Sequence, residues 1–143
     1  MIYMGSTKID PEQTIGEIMS VLRKHGVGCI ITSYEKGEVV GFTFSVTHGN
    51  QTLPFKLPVK WEPVLAAMKA DRQTPNNLCV PFQARRVAWR LILRWIEAQM
   101  ALVEINMADI KEIFMPYLIT NNEGKTLYQV MEAERFPALK ERC

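Results

Sequence analysis

Residues 82–104 read FQARRVAWRLILRWIEAQMALVE, and this stretch decides the fold. It contains no Gly or Pro, and Val and Ile are its only β-branched types among strong helix formers. Placed at about 100° per residue, Gln83, Arg86, Arg90, Arg94, Glu97 and Glu104 fall on one narrow stripe, with Ala101 among them. Nearly everything else is apolar: Val87, Trp89, Leu91, Ile92, Leu93, Trp95, Ile96, Met100, Leu102 and Val103. A helix apolar around most of its circumference must be enclosed on several sides. Residues 82–104 are therefore expected to form the central helix of a compact domain, with the polar stripe as its one wet face.

On the N-terminal side, residues 1–9 are expected as a loose arm. Asp10-Pro11-Glu12-Gln13 then starts a first helix, with Asp10 as cap, Pro11 at the first helical position and Gln13 completing a capping box. Ile15, Ile18, Met19 and Leu22 recur at helical spacing, Lys24 and His25 suit the last turn, and Gly26 supplies a left-handed stop. A strand meander follows. Residues 28–34 (GCIITSY) are β-rich, and Glu38 to Thr47 alternates, with Val40, Phe42, Phe44 and Val46 on one side. Val39, Gly41, Thr43, Ser45 and Thr47 take the other side. Leu53, Phe55 and Leu57 mark a third strand, placed at a sheet edge by Pro54 and Pro58. Trp61 to Ala70 reads as a shorter helix, and Asp71 to Pro81 as a turn-rich link to the central helix.

Beyond Asn106, a helix over Met107–Met115, a short extended piece at Tyr117–Thr120, a turn at Asn121–Gly124 and a last helix capped by Thr126 are expected, with a frayed tail. The fold class is α+β in a single domain spanning 1–143. A three-stranded antiparallel meander, with room for a short fourth strand, is packed on one face by helices. The first and central helices are expected on the Phe42/Phe44/Phe55 face.

Composition bounds the function. The 143 residues are 48% hydrophobic and 22% charged, an ordinary globular balance, and no apolar run approaches the roughly 18 residues that span a bilayer. The start, MIYMGSTKID, has no signal-peptide pattern, and Cys29, Cys79 and Cys143 make no disulfide framework, so a cytoplasmic setting is expected. His25 and His48 lie at element boundaries without Cys or His at ligand spacing, so neither a metal site nor any cofactor is expected. His25 reads as a dipole-compensating helix end, His48 as a hairpin residue and Cys79 as a structural thiol. No nucleophile, phosphate-loop or dinucleotide motif occurs. Glu97, Glu104, Asp109 and Glu112 are a candidate Mg²⁺ cluster, although Glu97 also stands three residues from Arg94. No enzymatic activity is expected.

Charge is uneven along the chain. Lys56 to Arg94 holds eight Lys/Arg against Glu62 and Asp71, a local +6, whereas the whole chain is +2. Arg86, Arg90 and Arg94 recur at i, i+4 and i+8, with Arg85 beside them. Two readings stay open. The guanidinium forks match phosphate oxygens, which makes Arg85, Arg86, Arg90, Arg94, Lys56 and Lys60 a candidate nucleic-acid contact set. Alternatively, the arginines are the solvated stripe of a buried helix and pair with carboxylates, including Glu97. The outer sheet face, small and weakly charged from Val39 to Thr47 beside Thr52 and Lys56, suits a protein partner or a second subunit.

The order helix, three antiparallel strands, helix resembles double-stranded-RNA-binding domains in layout only. Where those place a Lys cluster, this chain has Arg85 and Arg86, and its 61–70 helix has no counterpart. A second resemblance covers most of residues 7–131. DPEQTIGEIMSVLRKHG, LPFKLPV and QARRVAWRLILRWIEAQMALVE followed by IFMPYLI are similar to small uncharacterised bacteriophage and prophage proteins. That resemblance implies a phage-encoded accessory protein inside a host bacterial cell, serving phage DNA metabolism or countering host defence.

Overall fold

Pro11 opens the first helix, α1 (Pro11–Lys24), in the computed structural model, which describes residues 1–120 and 123–136. The chain divides into two compact units. One holds Met1–Gly26 and Pro58–Ile105, the other Val27–Leu57 and the chain from Asn106 onward.

The first unit is helical. Besides α1 it contains α2 (Glu62–Ala70), a 3-10 turn at Asn76–Leu78 and α3 (Pro81–Glu104). Gly26 ends α1 at φ +85, the left-handed geometry expected of it, and Asn106 takes the same role after α3 at φ +61. Thr14, Ile15, Ile18 and Leu22 form the buried side of α1, and α3 buries Ala84, Val87, Ala88, Trp89, Leu93, Ile96 and Met100. Burying a large aliphatic side chain such as Ile18, Leu22 or Ile96 contributes about 1.5–3 kcal/mol. Cross-links at Asp10–Arg86, Glu17–Arg90 and His25–Glu104 climb both helices in the same direction, so α1 and α3 run parallel.

Two sequence expectations fail in this unit. Asp10 is the N-cap residue of α1, but its side chain makes no capping bond. The carboxylate instead takes the Arg86 guanidinium at 2.9 Å, a charge-assisted bond that outcompetes a neutral backbone donor. Residues 1–9, expected to be loose, carry turns closed by Gly5 N–H to the Ile2 carbonyl and Thr7 N–H to the Met4 carbonyl. The Gln83 amide, only 4% exposed, donates to the carbonyls of Gly5 and Thr7 at 2.9 Å each.

The second unit is an antiparallel sheet in the order β1-β2-β3, formed by β1 (Cys29–Glu35), β2 (Glu38–His48) and β3 (Gln51–Lys56). Lys36 and Gly37, at φ +52 and +80, make the two-residue turn between β1 and β2. Gly49, at φ +60, makes the next. Register slips by one residue between Ser33 and Tyr34, leaving Val40 as the extra residue of a β-bulge. Phe42, Phe44, Val46 and Phe55 are buried on one face as expected, whereas Val40, expected with them, is 48% exposed because the bulge breaks the alternation there. Within this unit the cover is aromatic. Phe114, at the end of α4 (Ile110–Phe114), sets its ring edge-on to Phe44 at 5.0 Å and lies 6.3 Å from Phe55, while Phe44 and Phe55 stack at 5.5 Å.

The C-terminal elements are shorter than expected. Asp109 and Glu112 form a capping box that starts α4 three residues later than Met107. Tyr117–Thr120 does not become a strand. Leu118 and Ile119 make only isolated bridges, to Phe55 and Thr126. Thr126 caps α5 (Leu127–Ala133) with Gln129, as its position suggested. Asn121 and Asn122 of the expected turn, and residues 137–143 of the expected frayed tail, lie outside the described residues. Among the described residues, no helix is long and apolar enough to cross a membrane.

Candidate nucleic-acid interface

The polar stripe is wet along only part of its length: Arg94, Glu97 and Glu104 are exposed, as expected, whereas Gln83 and Arg90 are buried. Arg90 is 4% exposed, and its guanidinium is held by the Glu17 carboxylate and the hydroxyl of Thr14, itself fully buried. Arg86 pairs with Asp10 at 2.9 Å and lies over the Phe82 ring, 4.3 Å from its centroid. Arg94 pairs with Glu97 on its own helix at 2.7 Å, and that hydrogen bond raises the guanidinium's affinity for its proton further. Gln83 and Arg90 share the stripe with these residues and are buried against the N-terminal arm and α1. The first half of the stripe, Gln83 to Arg90, is the seam against the N-terminal arm and α1, and its second half is exposed.

Charge placement on α3 follows from that seam. Arginines in the first two turns and Glu104 at the end oppose the helix dipole, which favours anions at the start and cations at the end. Two of these charges are partnered across the seam, Arg86 by Asp10 at the start of α1 and Glu104 by a hydrogen bond with the His25 ring at its end. One ring nitrogen of His25 lies 2.8 Å from the Val21 carbonyl and the other 3.0 Å from the Glu104 carboxylate. His25 thus closes a helix end, as expected, and also ties two helices together. Beside the seam runs an open groove of about 590 Å³, with Gly16 and Ser20 of α1 facing Arg94 and Glu97 of α3.

The remaining members of the candidate set are Arg85, Lys60 and Lys56. Arg85 holds its guanidinium 4.7 Å from the centroid of the Trp61 ring. Lys60 is exposed in the helical unit, whereas Lys56 is exposed on β3 of the sheet unit. The structure adds two exposed cations at the far end of α2 from Lys60 that were not singled out from sequence. Lys69 ends α2 and Arg72 follows it, both exposed and joined to no carboxylate among the described residues. Their signal was present in the positive segment from Lys56 to Arg85, which contains them.

The four carboxylates considered for Mg²⁺ each have a local partner. Glu97 takes Arg94 and Glu104 takes His25, while Glu112 caps Asp109. Asp109 is held below the usual carboxylate range by hydrogen bonding from Lys111, first from its ammonium and then from its backbone N–H. No three metal-ligating side chains gather among the described residues. The Cys79 thiol lies 3.5 Å from the Met68 carbonyl and 3.6 Å from that of Pro75, closing the turn before α3.

No protein-family model matches this chain, and no characterised protein or solved structure is significantly similar to it.

Proposed function

We propose that this protein is a non-catalytic nucleic-acid-binding accessory factor of phage DNA metabolism, and that it meets phosphate through the α2 side of its helical unit. The observation that carries this reading is the set of exposed cations there. The helical unit holds ten Lys/Arg against seven Asp/Glu, a net +3. Ion pairing within the unit consumes Arg86, Arg90 and Arg94 together with three acids, so the surplus stands on other residues. Lys60 before α2, Lys69 in its last turn and Arg72 beyond it are exposed members of that surplus, which Lys8, Arg23, Lys24 and Arg85 share, with Glu62 on the helix and Asp71 at its C-cap as the nearby acids. A cationic surface of this kind attracts a polyanion. The phage context is supported by the sequence resemblance.

The test is the salt dependence of binding to duplex and single-stranded DNA, read by fluorescence anisotropy. Replacing Lys60, Lys69 and Arg72 by Gln removes three phosphate contacts, and the log–log slope should become shallower by about 2–3 units. Replacing Arg86, Arg90 and Arg94 should leave the slope of the remaining folded protein unchanged. Absence of binding at low salt, or an unaltered slope in the Lys60/Lys69/Arg72 variant, refutes the reading.

The second reading is a protein-binding anti-defence inhibitor or structural accessory protein. It is supported by the outer sheet face, where Ile31 is 61% exposed beside Thr43 and Ser45. A host protein that co-purifies in equal stoichiometry through high salt and nuclease would favour it over the first.

A further inference from the structure

The sheet has two edges, and they differ. Along β3, Pro54 lacks an N–H, and the Ile119 N–H donates to the Pro54 carbonyl at 2.8 Å, so Leu118 and Ile119 cover part of that edge. Along β1 the described residues form no such cover. Cys29–Glu35 (CIITSYE) contains no Pro, Lys or Arg, and its one charge is Glu35 at the end. Native edge strands usually carry such residues to block pairing with another chain.

The ladder fixes which backbone groups of β1 point outward. Leu57 N–H donates to the Phe42 carbonyl, so Phe42, Phe44 and Val46 turn their backbone groups toward β3. By alternation Gly41, Thr43 and Ser45 turn theirs toward β1, where they face Ser33, Ile31 and Cys29. Ile30, Thr32 and Tyr34 are left with backbone N–H and C=O directed away from the sheet. Among the described residues, no hydrogen bond reaches them from outside the ladder.

We propose that β1 is a self-association edge: two copies of this chain join their β1 strands antiparallel about a twofold axis at Thr32, giving one continuous six-stranded sheet. This register satisfies every outward group. Thr32 meets Thr32 of the second copy, Ile30 meets Tyr34 and Tyr34 meets Ile30, each as a doubly hydrogen-bonded pair. Charge agrees, because Glu35 falls opposite Cys29 and the two carboxylates sit at opposite ends of the seam, about 20 Å apart. A parallel pairing would set them side by side. Packing agrees as well. Ile31, 61% exposed in the single chain, lies opposite Ser33 and diagonal to the Ile31 of the second copy. The inference does not depend on nucleic-acid binding.

Sedimentation equilibrium over a concentration series should show twice the 16.4 kDa chain mass. Thr32→Pro removes an N–H that points outward, a change an edge strand tolerates. It should weaken the dimer more than about tenfold, a loss of over 1.4 kcal/mol, while circular dichroism and melting stay as in the wild type. A second test reads the register itself. Glu35→Cys in a Cys79→Ser/Cys143→Ser background should, on oxidation, cross-link two chains through native Cys29, and adding Cys29→Ser should abolish the product. The ends of one strand lie about 20 Å apart, too far for a disulfide within a chain. A wild type that remains at 16.4 kDa, a dimer untouched by folded Thr32→Pro, or no cross-link through Cys29 each overturns the proposal. If Thr32→Pro does not fold, the cross-link decides.

Discussion

Breaking the Arg90–Glu17 pair from either side should give unequal results. Arg90 is 4% exposed, whereas the Glu17 side chain retains 42% exposure at the rim of the groove. Glu17→Gln keeps the shape but leaves a buried guanidinium with only a neutral amide and the Thr14 hydroxyl at 3.3 Å. Removing one partner of a buried pair typically costs 3–5 kcal/mol, and access of water through the exposed Glu17 side puts this case near about 3 kcal/mol. For a chain of this size that lowers the melting temperature by about 6–12 °C. Arg90→Met removes the charge yet keeps the stem that packs between the helices, and Glu17 is then free to hydrate. Its cost should stay within about 1 kcal/mol. The double variant should be no less stable than Arg90→Met within about 0.5 kcal/mol, giving a coupling of roughly 2–3 kcal/mol between the sites. Urea denaturation followed by circular dichroism measures all three. An Arg90→Met variant less stable than Glu17→Gln would refute the buried-charge account of the α1/α3 seam.

Phe114→Ala should destabilise by about 3–5 kcal/mol, since Phe114 is fully buried against Phe44 and Phe55; a melt within two degrees or so of wild type would show that this ring is not the cover of the sheet. Gly16→Ala should stabilise by up to about 1 kcal/mol, because Gly16 lies inside α1 and an added Cβ meets nothing within 4 Å. A destabilised variant in the same urea assay would mean the groove closes over that position. Asp71 is held below the usual carboxylate range by the Thr74 hydroxyl and then by the Gln73 N–H. A depressed folded value means its contribution is complete above about pH 4 and is lost as pH falls through the lowered value. Asp71→Asn should therefore flatten the acid limb of stability below that pH, and an identical acid limb would exclude the effect.

What sequence alone determined was whatever depends on neighbours along the chain. Apolar spacing set α1 and α3, alternation put Phe42, Phe44 and Val46 on one face, and Gly26, Gly37 and Gly49 ended or turned their elements because left-handed backbone favours glycine. The α+β class with an antiparallel meander followed from the order of those segments. What only the tertiary structure decided was where each polar group found its partner. Asp10 reads as a cap because a cap needs only its own helix, but Arg86, 76 residues away, is the stronger attractor. The stripe of Gln83, Arg86 and Arg90 reads as wet because polarity usually marks solvent. Here Asp10, Thr14, Glu17 and the carbonyls of Gly5 and Thr7 satisfy it from the N-terminal arm and α1. The same holds for the edges. Pro54 announces one edge in the sequence, whereas the open outward groups of Ile30, Thr32 and Tyr34 exist only once β2 has taken the other side of β1. Periodicity reports which side of an element is polar, but a charge's partner is set by contacts that sequence distance does not encode.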